Sequence, residues 1–486
     1  MIKLIMKSRR IVSFSILVIL LSCNAPQEQQ VNLHLVPLMA GEIQYTQALL
    51  MARLTETDTL IDLDVPGHEG VVRFHYGTDS TDNLQSTNWI TVDSAGDYIA
   101  KATLADLEPD ALYHYQAEYG PEESITTRSE FQSFKTLRDP DQSDPVDFVM
   151  VTGSHFERFF YGGDWDTTRT ISADKKQGFP AWDAIADLNP DFYIGNGDNV
   201  YYDHPFEWRA QTALEMRAKW HRLYFLPRFR NLLKTTPTYW LKDDHDYRWD
   251  DADTVAYSER YGSEPGDELG KEIFLEQVPL AYQNDDETYR TYRLSGDLQI
   301  WMLEGRDYRT PNSWPDTAGK TIWGEAQKQW LKETLAASEA TFKLMISPTP
   351  MIGPDDERKT DNHTNFDGFR TERKEFFDWL LENEMLEKNF YLLTGDRHWQ
   401  YHSIDTTGVE EFSSGALVDE NSRMGRKPGD PDSTDPIGSI EQPYMYDDAT
   451  GGFLYVKVHQ DPDPVLLIRF YDDEGEVLHE VRKEAN

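Results

Sequence analysis

Three short apolar runs, each ending at once in carboxylates, constrain this chain more than any other feature. Phe192-Tyr193-Ile194 leads into Gly197-Asp198-Asn199-Val200-Tyr201. Thr238-Tyr239-Trp240-Leu241 leads into Asp243-Asp244-His245-Asp246, and Phe390-Tyr391-Leu392-Leu393 into Gly395-Asp396-Arg397-His398. Such runs read as buried strands. Strands of one α/β sheet can present the residues that follow them to a common point. Carboxylates, imidazole and phenolate gathered there suit a hydrolytic metal centre.

The surrounding pattern fits that layout. From about residue 146 onward, strand-like runs alternate with amphipathic helices at 181–188, about 208–224, from 324, and at 371–386. This alternation indicates layered α/β packing. Before it, residues 33–137 read as short strands separated by turns, a small β-sandwich domain of the fibronectin type III or immunoglobulin-like kind. Leu107-Glu108-Pro109-Asp110-Ala111-Leu112-Tyr113-His114-Tyr115 resembles the tyrosine corner of such sandwiches. Residues 138–146 form the linker, rich in Pro, Asp and Ser, and 147–486 the second domain. Residues 421–448, rich in Pro, Gly and Asp, read as a long loop near the site, and 452–458 and 465–471 as closing strands.

With 486 residues, two folded units are the expectation. The formal net charge of -39 disfavours nucleic-acid backbones and anionic lipid surfaces as partners. A phosphate site therefore needs local positive charge. Lys3, Lys7, Arg9 and Arg10 precede an apolar segment at 11–21, too short to span a membrane with ordinary flanks. Leu20-Leu21-Ser22-Cys23 then resembles a bacterial lipobox. Residues 1–22 are expected to be a lipoprotein signal peptide, with Cys23 lipidated and 23–32 a tether. An ordinary signal peptide is the alternative. The only membrane contact expected is the lipid anchor, and the expected location is the periplasm, outer membrane or cell surface.

Within the candidate centre, Asp198 follows two glycines that let the backbone turn sharply, and it suits a role bridging two cations. Tyr201 lies three residues on, and a phenolate ligand implies a strongly Lewis-acidic ion because free Tyr has a pKa near 10. Asp244 suits the second cation and His245 general acid catalysis. Asp396 and His398 share one face if extension continues beyond their strand. Phe148-Val149-Met150-Val151-Thr152-Gly153-Ser154-His155 reads as the first strand after the linker, and His155, which ends it, is a fourth ligand donor. Arg306 and Arg309 either clamp a phosphate or pair with carboxylates. No Walker-type loop and no Gly-x-Ser-x-Gly elbow is present, which removes the usual kinase and serine-hydrolase readings.

In this order the segments resemble the PhoD-like alkaline phosphatase family of the calcineurin-like metallophosphatases. Gly197-Asp198-Asn199-Val200-Tyr201, Trp240-Leu241-Lys242-Asp243-Asp244-His245-Asp246 and Thr394-Gly395-Asp396-Arg397-His398 carry the resemblance. Glu304 to Arg309, Ser347-Pro348-Thr349-Pro350 and Glu411-Phe412-Ser413-Ser414-Gly415 support it. The resemblance implies a four-layer α/β/β/α core with two or three metal ions. Fe(III) and Ca²⁺ are the family precedent, and Zn²⁺ or Mn²⁺ are alternatives. It implies that Asp198 bridges, Tyr201 binds the iron, Asp244 binds the second metal and His245 is the general acid. It further implies hydrolysis of small phosphate esters, mono- or diester, by a metal-bound hydroxide. The chain departs from the family at Ser154-His155, where Ser-Cys is usual, and at Asp246, where Glu is usual. The competing readings are a non-catalytic surface binding lipoprotein on the same fold, or a hydrolase of another ester such as a sulfate.

Overall fold

A computed structural model describes residues 32–79, 82–143, 145–280 and 287–486. The leader, Cys23 and nearly all of the tether lie outside the described residues. Residues 33–486 form one compact unit.

Two sheets face each other at its centre. The first has nine strands. Its middle is the parallel set Val146–Val151, Phe192–Asn196 and Thr238–Leu241. The antiparallel strands Gly452–Gln460, Pro464–Asp472 and Val477–Glu484 extend one side. The second sheet has seven strands, with Leu298–Met302, Phe342–Ser347, Phe390–Thr394 and Glu410–Ser414 in parallel.

Period-two burial explains the layering. Phe148, Met150, Phe192, Ile194, Tyr239 and Leu241 face the second sheet and pack with Ile300, Leu344, Ile346 and Leu393. The intervening Val149, Val151, Tyr193 and Trp240 face outward onto the helices Ala181–Leu188, Ala213–Phe225, Pro227–Leu232 and Asp267–Gln277 through Trp182, Trp220, Phe229 and Phe274. On the far side, Gly324–Ala337 and Arg370–Glu382 cover the second sheet with Leu331, Leu335, Phe376 and Leu380. The result is the α/β/β/α stack expected from the alternation of elements.

The N-terminal strands join this stack. His34–Gly41, Ala48–Thr55 and Ile99–Leu104 continue the nine-stranded sheet, because His34–Gly41 pairs in parallel with Thr238–Leu241 at Gly41 and Thr238. A Cβ at Gly41 would lie 2.6 Å from the Thr238 carbonyl oxygen, so glycine is what lets the strands meet there. A third sheet, built on Gly70–Gly77 and Leu112–Glu122, closes the sandwich over them. The Tyr113 hydroxyl accepts the Glu108 N–H at 2.9 Å, the corner contact expected from the Pro turn.

Two sequence expectations change here. Residues 441–445, placed in a loop, form the edge strand Glu441–Met445 of the second sheet. Its partial exposure and Pro443 hide it from periodicity, and an edge tolerates proline. The strand Phe390–Thr394 does not extend through Asp396, which has φ 59°, so Asp396 and His398 are not alternate residues of one strand.

Glu42 ties the first sheet to the second. Arg290 donates to its two oxygens at 3.0 and 2.6 Å and to the Trp240 carbonyl at 2.9 Å, all buried. Removing one member of a buried ion pair strands the other. Glu42→Ala is therefore expected to destabilise the protein by about 3–5 kcal/mol. Urea unfolding monitored by tryptophan fluorescence measures this, and an unchanged midpoint would contradict it.

Candidate metal centre

The carboxylates gather where the parallel strands of both sheets end. Gly197 has φ 79° and Asp198 φ 54°, so the chain reverses directly after Phe192–Asn196. A Cβ at Gly197 would lie 2.6 Å from Asp243 Cβ, so glycine lets the two loops touch. Asp246 binds them together. Its Oδ2 accepts the Asn199 N–H at 3.0 Å and the Asn199 side-chain amide at 2.6 Å, while Oδ1 accepts the Asp243 N–H at 2.6 Å.

Among the described residues, four sets of ligating atoms lie within 4.8 Å of one another here: Asp198, Asp244 and His245; Asp243, Asp244 and Asp396; Asp244, Asp250 and Asp251; and Asp203, His204 and His245. Asp244 belongs to three of them. Asp198 also reaches a tyrosine and another histidine, because its Oδ2 accepts the Tyr201 hydroxyl at 2.9 Å and lies 3.5 Å from His398 Nε2. Asp198 Oδ1, Asp243 Oδ2 and Asp244 Oδ1 are buried without a hydrogen-bond partner. Buried carboxylate oxygens are rarely left so, and a hard cation satisfies them. The donor set therefore fits metal ions.

His155 lies beside this group. Its ring stacks on Tyr201 with centroids 3.9 Å apart. Its Nδ1 caps the helix Phe156–Tyr161 by accepting the Arg158 N–H at 3.3 Å, leaving Nε2 buried and without a partner. Burial pushes the His155 and His398 imidazoles well below their ordinary pKa, which favours the neutral, ligating form.

His245 has the opposite electrostatics. Its Nδ1 is 2.7 Å from Asp203 Oδ1, and Asp203 Oδ2 accepts the Asp250 N–H at 3.0 Å. Burial pulls the imidazole down, but the carboxylates of Asp203, Asp244 and Asp198 outweigh it and leave the pKa well above its ordinary value. Burial, reinforced by Asp244, Asp243 and Asp246, raises Asp198 despite His245.

The arginines pair with protein acceptors. Arg306 is fully buried, with Nε 2.6 Å from Asp243 Oδ1 and Nη2 3.7 Å from Asp244 Oδ1. Arg309 donates to the Gly305 and Asp361 carbonyls at 3.0 and 2.8 Å. Of the two roles open to them, these contacts are with carboxylates and backbone.

Sequence reasoning passed over Asp203, Asp243, the tying role of Asp246, and Asn421, which donates to the Tyr201 hydroxyl at 2.8 Å and to the Gly153 carbonyl at 3.1 Å. Asp203 and Asp243 stand inside the quoted segments or two residues from them, so a search for every carboxylate near a strand end finds them. Asn421 carries no local signal.

Carboxylates and imidazoles at the strand ends of two facing sheets flanked by helices define a metallophosphatase-like protein. Residues 148–439 match the model of the PhoD-like phosphatases, and the chain belongs to that family. Among solved structures it is similar to PhoD, at 16% identity over 92% of this chain and 88% of that one, with a TM-score of 0.70. It is also similar to the purple acid phosphatase PPD1 from yellow lupin (Lupinus luteus) seeds, at 13% identity over 92% of this chain and 74% of that one, with a TM-score of 0.61. At these identities the likeness is one of fold. Comparison with curated proteins gives no match. By its family, the chain is a metallophosphoesterase acting on small phosphate esters.

Because Asp246 holds both ligand loops, Asp246→Ala is expected to weaken metal binding by roughly 10–100-fold, as supporting residues around metal ligands commonly do. Competition with a chromogenic chelator measures it. Elemental analysis of Asp244→Asn should show a larger loss of bound metal than Asp396→Asn, and equal retention would contradict the sharing of Asp244.

Proposed function

We propose that the chain is an exported, metal-dependent hydrolase of phosphate mono- and diesters with His245 as general acid. The observation that carries this is the placement of His245, held at Nδ1 by Asp203, against the carboxylates of Asp198 and Asp244, each of which keeps one buried oxygen without a hydrogen-bond partner. Asp198, Tyr201, Asp244, Asp396, His398 and His155 would hold the ions. When bound, these ions supply Lewis-acid charge toward the phosphoryl oxygens and lower the pKa of water. Tyr201 supports an ion of the Fe(III) kind, with Ca²⁺ as its companion. Burial raises the phenol well above its ordinary pKa, so only a strong Lewis acid deprotonates it near neutrality.

The chain's own residues handle the proton. Asp203 accepts from Nδ1 and fixes the ring, so Nε2 carries the proton to be given to the departing ester oxygen. Water adds to phosphorus as the phosphorus–oxygen ester bond breaks, and the departing oxygen leaves as an alcohol with the Nε2 proton. A proton of the water replaces the one His245 gives up, and the phosphorus leaves as phosphate or, from a diester, as a phosphate monoester. The basic stretch, the apolar segment at 11–21 and Cys23 support export as a lipoprotein.

The test uses 4-nitrophenyl phosphate and bis(4-nitrophenyl) phosphate with the metal-loaded protein. Chelation should abolish both activities, and His245→Gln should lower kcat by roughly 10²–10⁴-fold. Activity that survives chelation would defeat the reading. A proton donor loses activity as pH rises through its pKa. Asp203 raises the pKa of His245, so Asp203→Asn is expected to move the alkaline limb of the kcat profile to lower pH. An unmoved limb would separate Asp203 from the acid. For export, Cys23→Ser should abolish incorporation of labelled fatty acid in a bacterial host, and undiminished labelling would contradict lipidation.

A further inference from the structure

Beside the metal centre lies a pocket of about 400 Å³ that the reaction as written leaves unused. One wall is Trp399, next to His398 in sequence. Arg423, Met424 and Gly425 continue that wall, and the Arg423 N–H donates to the His398 carbonyl at 3.0 Å. The other wall is Asp355, Asp356, Arg358 and Lys359. Lys359 pairs with Asp251, whose N–H donates to Asp244 Oδ2 at 2.6 Å. Asp355 pairs at 3.1 Å with Arg397, which pairs at 2.5 Å with Asp396. Both walls are thus one step from residues of the centre.

The charge of this pocket runs against that of the protein. In a chain of formal net charge -39, Arg358, Lys359, Arg423 and Arg426 line one small space. Its two carboxylates are already engaged: Asp355 by Arg397, and Asp356 by Arg358 and Arg426, each at 2.8 Å. Arg423 lies over the Trp399 ring, 5.6 Å from its centroid, and pairs with no carboxylate among the described residues. Arg426 ties its loop to Asp356, but the Arg423 side chain makes no such ion pair among the described residues. Gly425 packs flat on the indole, where a Cβ would lie 2.0 Å from Trp399 Cε2, and Asn421 anchors the loop to Gly153 and Tyr201. The volume falls within the roughly 300–1,000 Å³ of small-molecule sites.

We propose that this pocket receives the organic portion of the substrate, and that this portion bears a second anionic group, phosphate or carboxylate, met by Arg423. The proposal rests on the phosphoesterase reading and adds a substrate class to it. A guanidinium free of carboxylate partners offers such a group a charge-assisted, bidentate contact. The backbone of the same residue holds His398, so the pocket and the centre are in fixed register.

The test compares kcat/KM of the metal-loaded full chain on three matched substrates: propyl phosphate, 3-(phosphonooxy)propanoate and propane-1,3-diyl bisphosphate. The wild type is expected to prefer one or both doubly anionic substrates by about 10-fold or more, the scale of one hydrogen-bonded charge pair. The carboxylate and bisphosphate arms show which group it takes. Arg423→Ala should lower that preference by about 10-fold, and Arg423→Lys should restore part of it. Equal kcat/KM on all three substrates, or an equal loss on all three in Arg423→Ala, would overturn the proposal while leaving the phosphoesterase reading intact. Hydrolysis of none of them by a wild type that cleaves the 4-nitrophenyl esters would overturn the proposal alone, and cleavage of neither kind would overturn that reading and the proposal with it.

Discussion

Asp198, Asp243, Asp244 and Asp246 are buried together at the strand ends, and the rest of the centre is arranged around their mutual repulsion. Each loses hydration, and each raises the energy of the others' ionised form. The protein compensates some of them. Arg306 meets Asp243, Arg397 meets the less buried Asp396, and backbone N–H groups with the Asn199 amide meet Asp246. Among the described residues Asp198 has no Lys or Arg partner, and Asp244 has Arg306 only at 3.7 Å. Asp198, Asp243 and Asp244 each keep one buried oxygen without a hydrogen-bond partner, and His245 is the group that most favours the ionised form of Asp198 and Asp244. The distribution of compensation therefore marks where positive charge is missing, among those three carboxylates.

Holding this arrangement has a conformational cost. Asp198 at φ 54° and Asp396 at φ 59° lie in the left-handed region that residues with a Cβ seldom occupy. Such positions cost on the order of 1–3 kcal/mol each and persist only when their surroundings determine them. The surroundings here are the two facing sheets. Loops that follow strands paired in parallel, such as Phe192–Asn196 and Thr238–Leu241, leave the sheet in fixed relative register. The tyrosine corner and the Glu42–Arg290 pair extend the same rigidity into the N-terminal strands.

How much of this was legible in the sequence follows from the range of the interactions. The helix expected at 181–188 forms as Ala181–Leu188, and the one expected at 371–386 as Arg370–Glu382, because periodic burial is a local signal. Asp198, Asp244 and His245 were legible because each stands directly after an apolar strand. The contact between Asn421 and Tyr201 was not, since it joins residues 220 positions apart through a single amide. The continuous nine-stranded sheet was equally hidden, because it turns on one glycine, Gly41, fitting against Thr238. Alternation failed at Asp396 and His398 because the strand ends at Thr394 and Asp396 itself is left-handed. Period-two reasoning assumes an extended chain and cannot register that turn.

The acidity of the whole chain bears on how an anion reaches such a centre. At physiological salt, charges beyond about 8 Å are largely screened, so the net charge of -39 acts weakly on a distant substrate and more strongly on one near the surface. Capture then depends on charges met at contact, where screening is least. The basic side chains lining the pocket beside Trp399 stand at that range, whereas Arg306 lies deeper and is engaged by Asp243. The two sets of cations thus have separate work. The inner arginine stabilises the buried carboxylates, and Arg423, the outer cation without a carboxylate partner among the described residues, offsets a repulsive surface over the last few ångströms of approach.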